Sequence, residues 1–320
     1  MRRASLVLAL AFATSALGSP VRAKPFEDAV AVSPGGVVEL DVDFGEGLRP
    51  DPGFIELAAH DADEVRVRVE SSGWGSWAVE SSLEERGQKT RISVRVGGAT
   101  SWMFGGPSLR IFAWVPRGSS VDVRSNGLPL RIEEIQGSVR ARTRDAGIEL
   151  RGVEGPARLR AVNGEIQVEE LSGDLEVTST NGAIQVRWVG GNVEARTSDG
   201  SIVMQHVDGQ ITAKTLNGEI ELSEIRGPVV ARTERGSVVA RFSGPPAGSL
   251  ETERGSVDVV IPKESAAEID ARSTRGSVHI ASGIALNGDV GEQYARGRIN
   301  GGGALLVLRT SRGQVRLGWR

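Results

Sequence analysis

The chain has 320 residues, no cysteine, 39% hydrophobic and 25% charged residues, and a formal net charge of −3. Without thiols it can hold no disulfide, thiol nucleophile or cysteine-bound zinc, and its three histidines are too few for a histidine-rich metal site, so neither metal nor cofactor is expected. The near-neutral balance implies no nucleic-acid partner, and an apolar content this high in clean alternation excludes a disordered chain.

Residues 1–23 read as a signal peptide. Met1-Arg2-Arg3 precedes an apolar run from Leu6 to Leu17, and Val21-Arg22-Ala23 offers a cleavage site before Lys24. The run is too short to cross a bilayer, and no later stretch approaches the length of a membrane span. The mature chain is therefore expected to be exported, periplasmic or secreted, with no integral membrane span after cleavage. Residues 24–118 read as a β-rich N-terminal cap or as irregular first coils, because 37–42, 65–69, 91–96 and 109–115 each alternate. Trp74, Trp77 and Trp102 lie there among glycines and serines, where a glycan or a protein surface could stack on them; packing of the cap is the other account.

Residues 119–320 repeat. Gly164, Gly182, Gly200, Gly218 and Gly236 each follow the last by 18 residues, and each opens the phrase Gly-x-(Ile/Val)-x-apolar. A fixed period of this length specifies a solenoid. Each coil carries two alternating strands with a glycine near each corner, so the expected fold is all-β: a single-stranded parallel β-helix, or β-solenoid, of about 18 residues per coil. Winding in one direction predicts a right-handed helix. An inward ladder, Ser179, Thr197, Thr215, Thr233, Thr252 and Ser273, can bond to itself or to corner carbonyls. The glycine-rich stretch 284–303 reads as an inserted loop, with 305–308 and 315–319 closing the stack.

Corner residues supply the candidate sites. Asn163, Asn181, Asp199 and Asn217 precede the repeat glycine, where a short polar side chain tolerates left-handed backbone; they read as a structural ladder. In later coils the position becomes Arg235, Arg254, Arg275 and Arg312. A second basic row, including Arg196, Lys214 and Arg232, runs beside it. Arginines at a repeated spacing can grip carboxylates or phosphates through paired N–H groups, and the bland reading is charge that keeps an edge soluble. Catalytic groups are sparse: Asp258 and His279 are expected on adjacent coils as an ion pair, and no residue is assigned a catalytic role.

Val115-Pro116-Arg117-Gly118 with the stretch Val121 to Gly127, the iterated Asn-Gly-x-Ile, and Arg298-Ile299-Asn300-Gly301-Gly302-Gly303 with Thr310-Ser311-Arg312-Gly313 resemble the bacterial "putative adhesin" family with β-strand repeats. That resemblance implies an exported or tethered β-solenoid and carries no catalytic residues. The function expected is therefore a non-enzymatic, adhesin-like envelope or secreted protein that presents an extended surface to an anionic glycan or another envelope protein. A glycan-active β-helix enzyme of lyase or hydrolase type is the alternative, and an end-to-end polymerising scaffold a third.

Overall fold

The computed structural model describes residues 21–22, 25–33, 35–44, 51–73, 78–97 and 108–320, and every regular element in them is a β-strand. Residues 1–20 of the expected signal segment, Ala23 and Lys24 at its expected cleavage point, and Trp74, Trp77 and Trp102 lie outside the described residues, while Val21–Arg22 pairs with Glu64–Gly73 as a short antiparallel strand. The chain divides into two compact units, residues 1–164 and 165–320.

In the first unit, Ser120–Ser125 pairs in parallel with Val139–Thr143, Val121 opposite Val139, and Leu130–Glu133 pairs with Ile148–Val153, Leu130 opposite Ile148. Alternation places Val121, Val123, Val139, Ile148 and Leu150 inside, each at most 2% exposed. The earlier residues also form parallel coils, but out of chain order. Val37–Phe44 and Asp51–His60 pair on one side with Ser120–Ser125 and Leu130–Glu133, and on the other with Lys89–Gly97 and Ser108–Pro116. The first coil in sequence thus lies between the second and the third. Antiparallel strands cover the outer coil: Ala78–Arg86 on Lys89–Gly97, Glu64–Gly73 on Ser108–Pro116, and Phe26–Ala31 on Glu64–Gly73. Reversing strand direction covers an edge that would otherwise template further parallel pairing.

In the second unit Ile166, Ile184, Ile202, Ile220 and Val238 stack in register along one ladder. Leu175, Val193, Ile211 and Val229 stack along the other. All these side chains are buried at 2% exposure or less, so apolar columns fill the interior. The end of this unit departs from the sequence reading. Residues 284–303 are no loop, since they hold an antiparallel pair, Leu286–Val290 with Tyr294–Ile299, laid against Ala267–Arg275. Nor do 305–308 and 315–319 close the stack. Ala304–Arg312 inserts between Gly248–Arg254 and Ala267–Arg275, and Val315–Trp319 inserts between Val257–Ile261 and Val278–Ile280. The reversal that permits this is Asn300-Gly301-Gly302, three successive residues with φ of 50°, 87° and 89°, a run that asparagine and glycine tolerate best. Asn300 Nδ2 ties it down by donating to the Lys263 and Ser265 carbonyls, 3.2 and 2.9 Å away.

Candidate binding face

Along one edge of the second unit, the corners at the repeat glycines share one contact. The inward Ser/Thr ladder bonds to corner carbonyls: Thr197, Thr215 and Thr233 donate to the oxygens of Gly182, Gly200 and Gly218 at 3.0–3.1 Å, and Thr252, Thr310 and Ser273 to those of Gly236, Gly255 and Gly313 at 2.8 Å. Because successive corners press together, a β-carbon on Gly218 would stand 2.0 Å from the Gly200 oxygen and one on Gly255 2.1 Å from the Gly236 oxygen. Glycine is needed at these corners for room.

Side chains before the glycine then split the corners into two kinds. Asn181 and Asp199 sit in bends after short strands, Leu175–Thr178 and Val193–Arg196. Asn217 Nδ2 donates to Asp199 Oδ1 at 2.6 Å; in the first unit Asn163 bonds Asp145 in the same way, also at 2.6 Å. None of these residues takes the left-handed backbone expected of it. At the arginines, by contrast, the strand runs through the corner, as in Val229–Arg235 and Gly248–Arg254. Gly236, Gly255 and Gly313 turn the chain there with φ of 148°, 155° and 156°.

The consequence is a continuous column. Asn217 pairs with Arg235, Arg235 with Arg254, Arg254 with Arg312 and Arg312 with Arg275, so the stacking order is 235, 254, 312, 275. All four arginines are exposed. Arg235 donates to Asn217 Oδ1 at 3.1 Å, and the side chains of Arg254, Arg312 and Arg275 have no hydrogen bond or ion pair among the described residues. Elsewhere in this unit arginines find carboxylates: Arg226 reaches Asp208 at 2.9 Å, Arg241 reaches Glu221 at 2.7 Å and Arg316 reaches Asp258 at 2.9 Å. A depression of about 260 Å³ opens at the column, lined by Glu253, Arg254, Thr274, Arg275, Ser311 and Arg312. The second basic row is weaker. Arg196 is held by Glu194, Arg232 approaches Glu251 at 3.8 Å, and Lys214 stacks between Arg196 and Arg232.

Positive φ occurs where the sequence did not announce it. Glu170, Trp188, His206 and Glu224, one per coil, have φ of 55–59°, and none is a glycine. The sequence signal was a break in alternation, since Val168 and Leu171, or Met204 and Val207, both point inward with two residues between them. The Trp188 and His206 rings stack 3.9 Å apart, and Trp188 is 52% exposed. Glu224 receives both Nη atoms of Arg320, at 2.5 and 3.0 Å, and these bonds hold its carboxyl below the usual carboxylate range against the opposing pull of desolvation.

Asp258 and His279 are not on adjacent coils. Arg316, on the inserted coil, stands between them and pairs with both positions. His279 instead bonds the Ser277 hydroxyl at 2.8 Å. Among the described residues no group of three or more histidines and carboxylates is placed to hold a metal ion, and no helix is long and apolar enough to cross a membrane.

The model of the Toastrack DUF4097 family matches residues 55–316. No curated protein matches the chain. Two solved structures are similar over 93% of it. A "putative cell adhesion protein" from Clostridium sporogenes is 12% identical, with all of that chain covered and a TM-score of 0.22. A "putative adhesin" from Bacteroides fragilis is 11% identical, with 97% of that chain covered and a TM-score of 0.35.

Proposed function

The chain belongs to the Toastrack DUF4097 family, and from that premise we propose a non-enzymatic, exported, adhesin-like β-solenoid that holds an anionic partner of the cell envelope along an extended face. The observation that carries this reading is the column Arg235, Arg254, Arg312, Arg275, four exposed arginines in strand register and joined to no carboxylate, in a unit whose other arginines mostly find one. Like charges placed directly opposite one another across strands are destabilising, and a bound anion relieves that cost. The glycan-active alternative loses its best pair, because Arg316 separates Asp258 from His279. The test incubates the purified protein with envelope glycans and lipopolysaccharide at low and high salt. Binding that weakens with salt and disappears in the triple variant Arg235→Ser, Arg254→Ser, Arg275→Ser is the expected result. Equal binding by the triple variant would remove the arginine face from the function.

A further inference from the structure

Resting on the reading that the arginine corner binds an anionic partner, we propose that its ligand is a linear polyuronate, a polysaccharide with one carboxylate on every sugar, lying across the coils with its charges in register with the strands. Three features of the column select this class. The first is spacing. In-register parallel strands set the arginines about 4.8 Å apart. One pyranose ring with its bridging oxygen advances a (1→4)-linked chain by close to the same length, and because successive sugars turn about the chain axis, the carboxylates that face the column recur at whole multiples of the strand spacing, each within reach of neighbouring guanidinium groups. Phosphates along one strand of a DNA duplex recur about every 3.4 Å of axis, which loses more than an ångström per coil and is out of step before the fourth arginine.

The second feature is the donor. Arginine presents a planar fork that matches a carboxylate in bidentate fashion and stays charged at any relevant pH. The third is what flanks the column. Ser311 and Thr274 line the depression with hydroxyls, which suit the neighbouring sugar hydroxyls. Glu234 and Glu253, both exposed, precede Arg235 and Arg254 in their strands. They accept from hydroxyls and repel a more densely charged, sulfated chain, so the face discriminates by repulsion as well as attraction.

The inserted coil puts Arg312 between Arg254 and Arg275, so that neutralising it leaves those two arginines two strand spacings apart with no charge between them.

The experiment measures affinity of the full chain for oligogalacturonates of one to eight sugars, for a sulfated glycosaminoglycan and for free galacturonate, at fixed low salt. The expected result is an affinity that rises with length and levels off near four sugars, with the sulfated chain weaker. Arg312→Gln lowers affinity for the tetramer about tenfold and Arg254→Gln does the same, the loss of one charge-assisted contact. Arg312→Lys keeps the charge but not the fork and loses part of that. Arg226→Ser, at an arginine already paired with Asp208, leaves binding unchanged, and circular dichroism reports that each variant folds. Arginine-dependent binding in which the sulfated chain is tighter and no plateau occurs overturns the register while leaving the anionic face standing. Binding of no polyanion that depends on Arg254 or Arg312 overturns both.

Discussion

At residues 181, 199 and 217 the corner before the glycine carries a short polar side chain; at 235, 254, 312 and 275 it carries arginine. Both kinds of corner keep the Thr-to-Gly bond and the glycine-on-glycine contact, so neither side chain is what closes the coil. What changes is the path of the backbone. At Asn181 and Asp199 the strand stops and the chain bends, at Asn217 it already runs through the corner in Ile211–Asn217, and the side chains bond along the corner, as Asn217 does to Asp199. With arginine the strand continues through the corner, and at Gly236, Gly255 and Gly313 the glycine takes the unusual φ, whereas Gly276 does not. The comparison teaches that beyond Arg235, which donates to Asn217, the arginines bring no such bond to the corner and form instead a column of one sign, which is a feature of the surface.

The sharpest test of the arginine corner is its coil order, which an all-or-none crosslink reads out in a chain with no native cysteine. Glu251 pairs with Arg309 and Arg309 with Arg272. The double variant Glu251→Cys, Arg309→Cys is expected to oxidise readily. Glu251→Cys with Arg272→Cys does not, because two strand spacings, about 10 Å, exceed the roughly 7 Å Cα limit of a disulfide.

Next in size is the shared backbone device. Gly218→Ala at an asparagine corner and Gly255→Ala at an arginine corner each drive a β-carbon into a carbonyl oxygen. Each is expected to cost about 3 kcal/mol in urea unfolding. A large difference between the two would break the claim that the corners share one device. Thr215→Val and Thr252→Val, which strip the bonds to the Gly200 and Gly236 oxygens, cost about 1–2 kcal/mol each.

Asn217→Ser and Arg254→Ser then separate the two corners by function. Stability changes by no more than about 0.5 kcal/mol in either, with Arg254→Ser the more favourable at low salt because it interrupts a like-charge column. Only Arg254→Ser weakens polyanion binding.

The smallest effect is acid sensitivity. The bond from Arg320 lowers the Glu224 carboxyl in the folded protein. The stability it contributes is therefore present above the unfolded carboxylate pKa, about 4.3, and is lost as pH falls through the lower folded value. Glu39, lowered by its bonds from Arg91 and Lys89, follows the same sign. A carboxyl titration by NMR in Arg320→Gln checks this: the Glu224 midpoint returns upward to the ordinary range.

Much of the fold was legible in the sequence for a physical reason. Period and alternation dictate which side chains point inward, so the columns of Ile184, Ile202 and Ile220 and the threonine ladder fall where they were expected. Coil order was not legible, because equivalent repeats carry no label. The interval from Gly276 to Gly313 fits a next coil or an inserted one equally, and the reversal at Asn300-Gly301-Gly302 decides between them. The left-handed column at Trp188 and His206 is not legible from residue type, because glycine and asparagine favour that backbone and tryptophan and histidine do not; the doubled outward residue between Val186 and Val189 is its sign in the sequence. Of the candidate face, the arginines and their run along one edge are legible from the shared repeat position, and their stacking order is hidden in the coil order.

The insertion also governs how the second unit comes apart. A simple solenoid frays from its end one repeat at a time, since each repeat leans only on its neighbours. Here residues 304–319 lie inside the coil that precedes them in the chain, and the hairpin 286–299 is laid over that outer coil. Nothing at this end can peel away singly; the hairpin, the outer coil and the inserted coil leave together or stay. Native-state hydrogen exchange therefore finds a single cooperative opening across Gly248–Arg254, Ala304–Arg312 and Ala267–Arg275, where a frayed end would show a gradient.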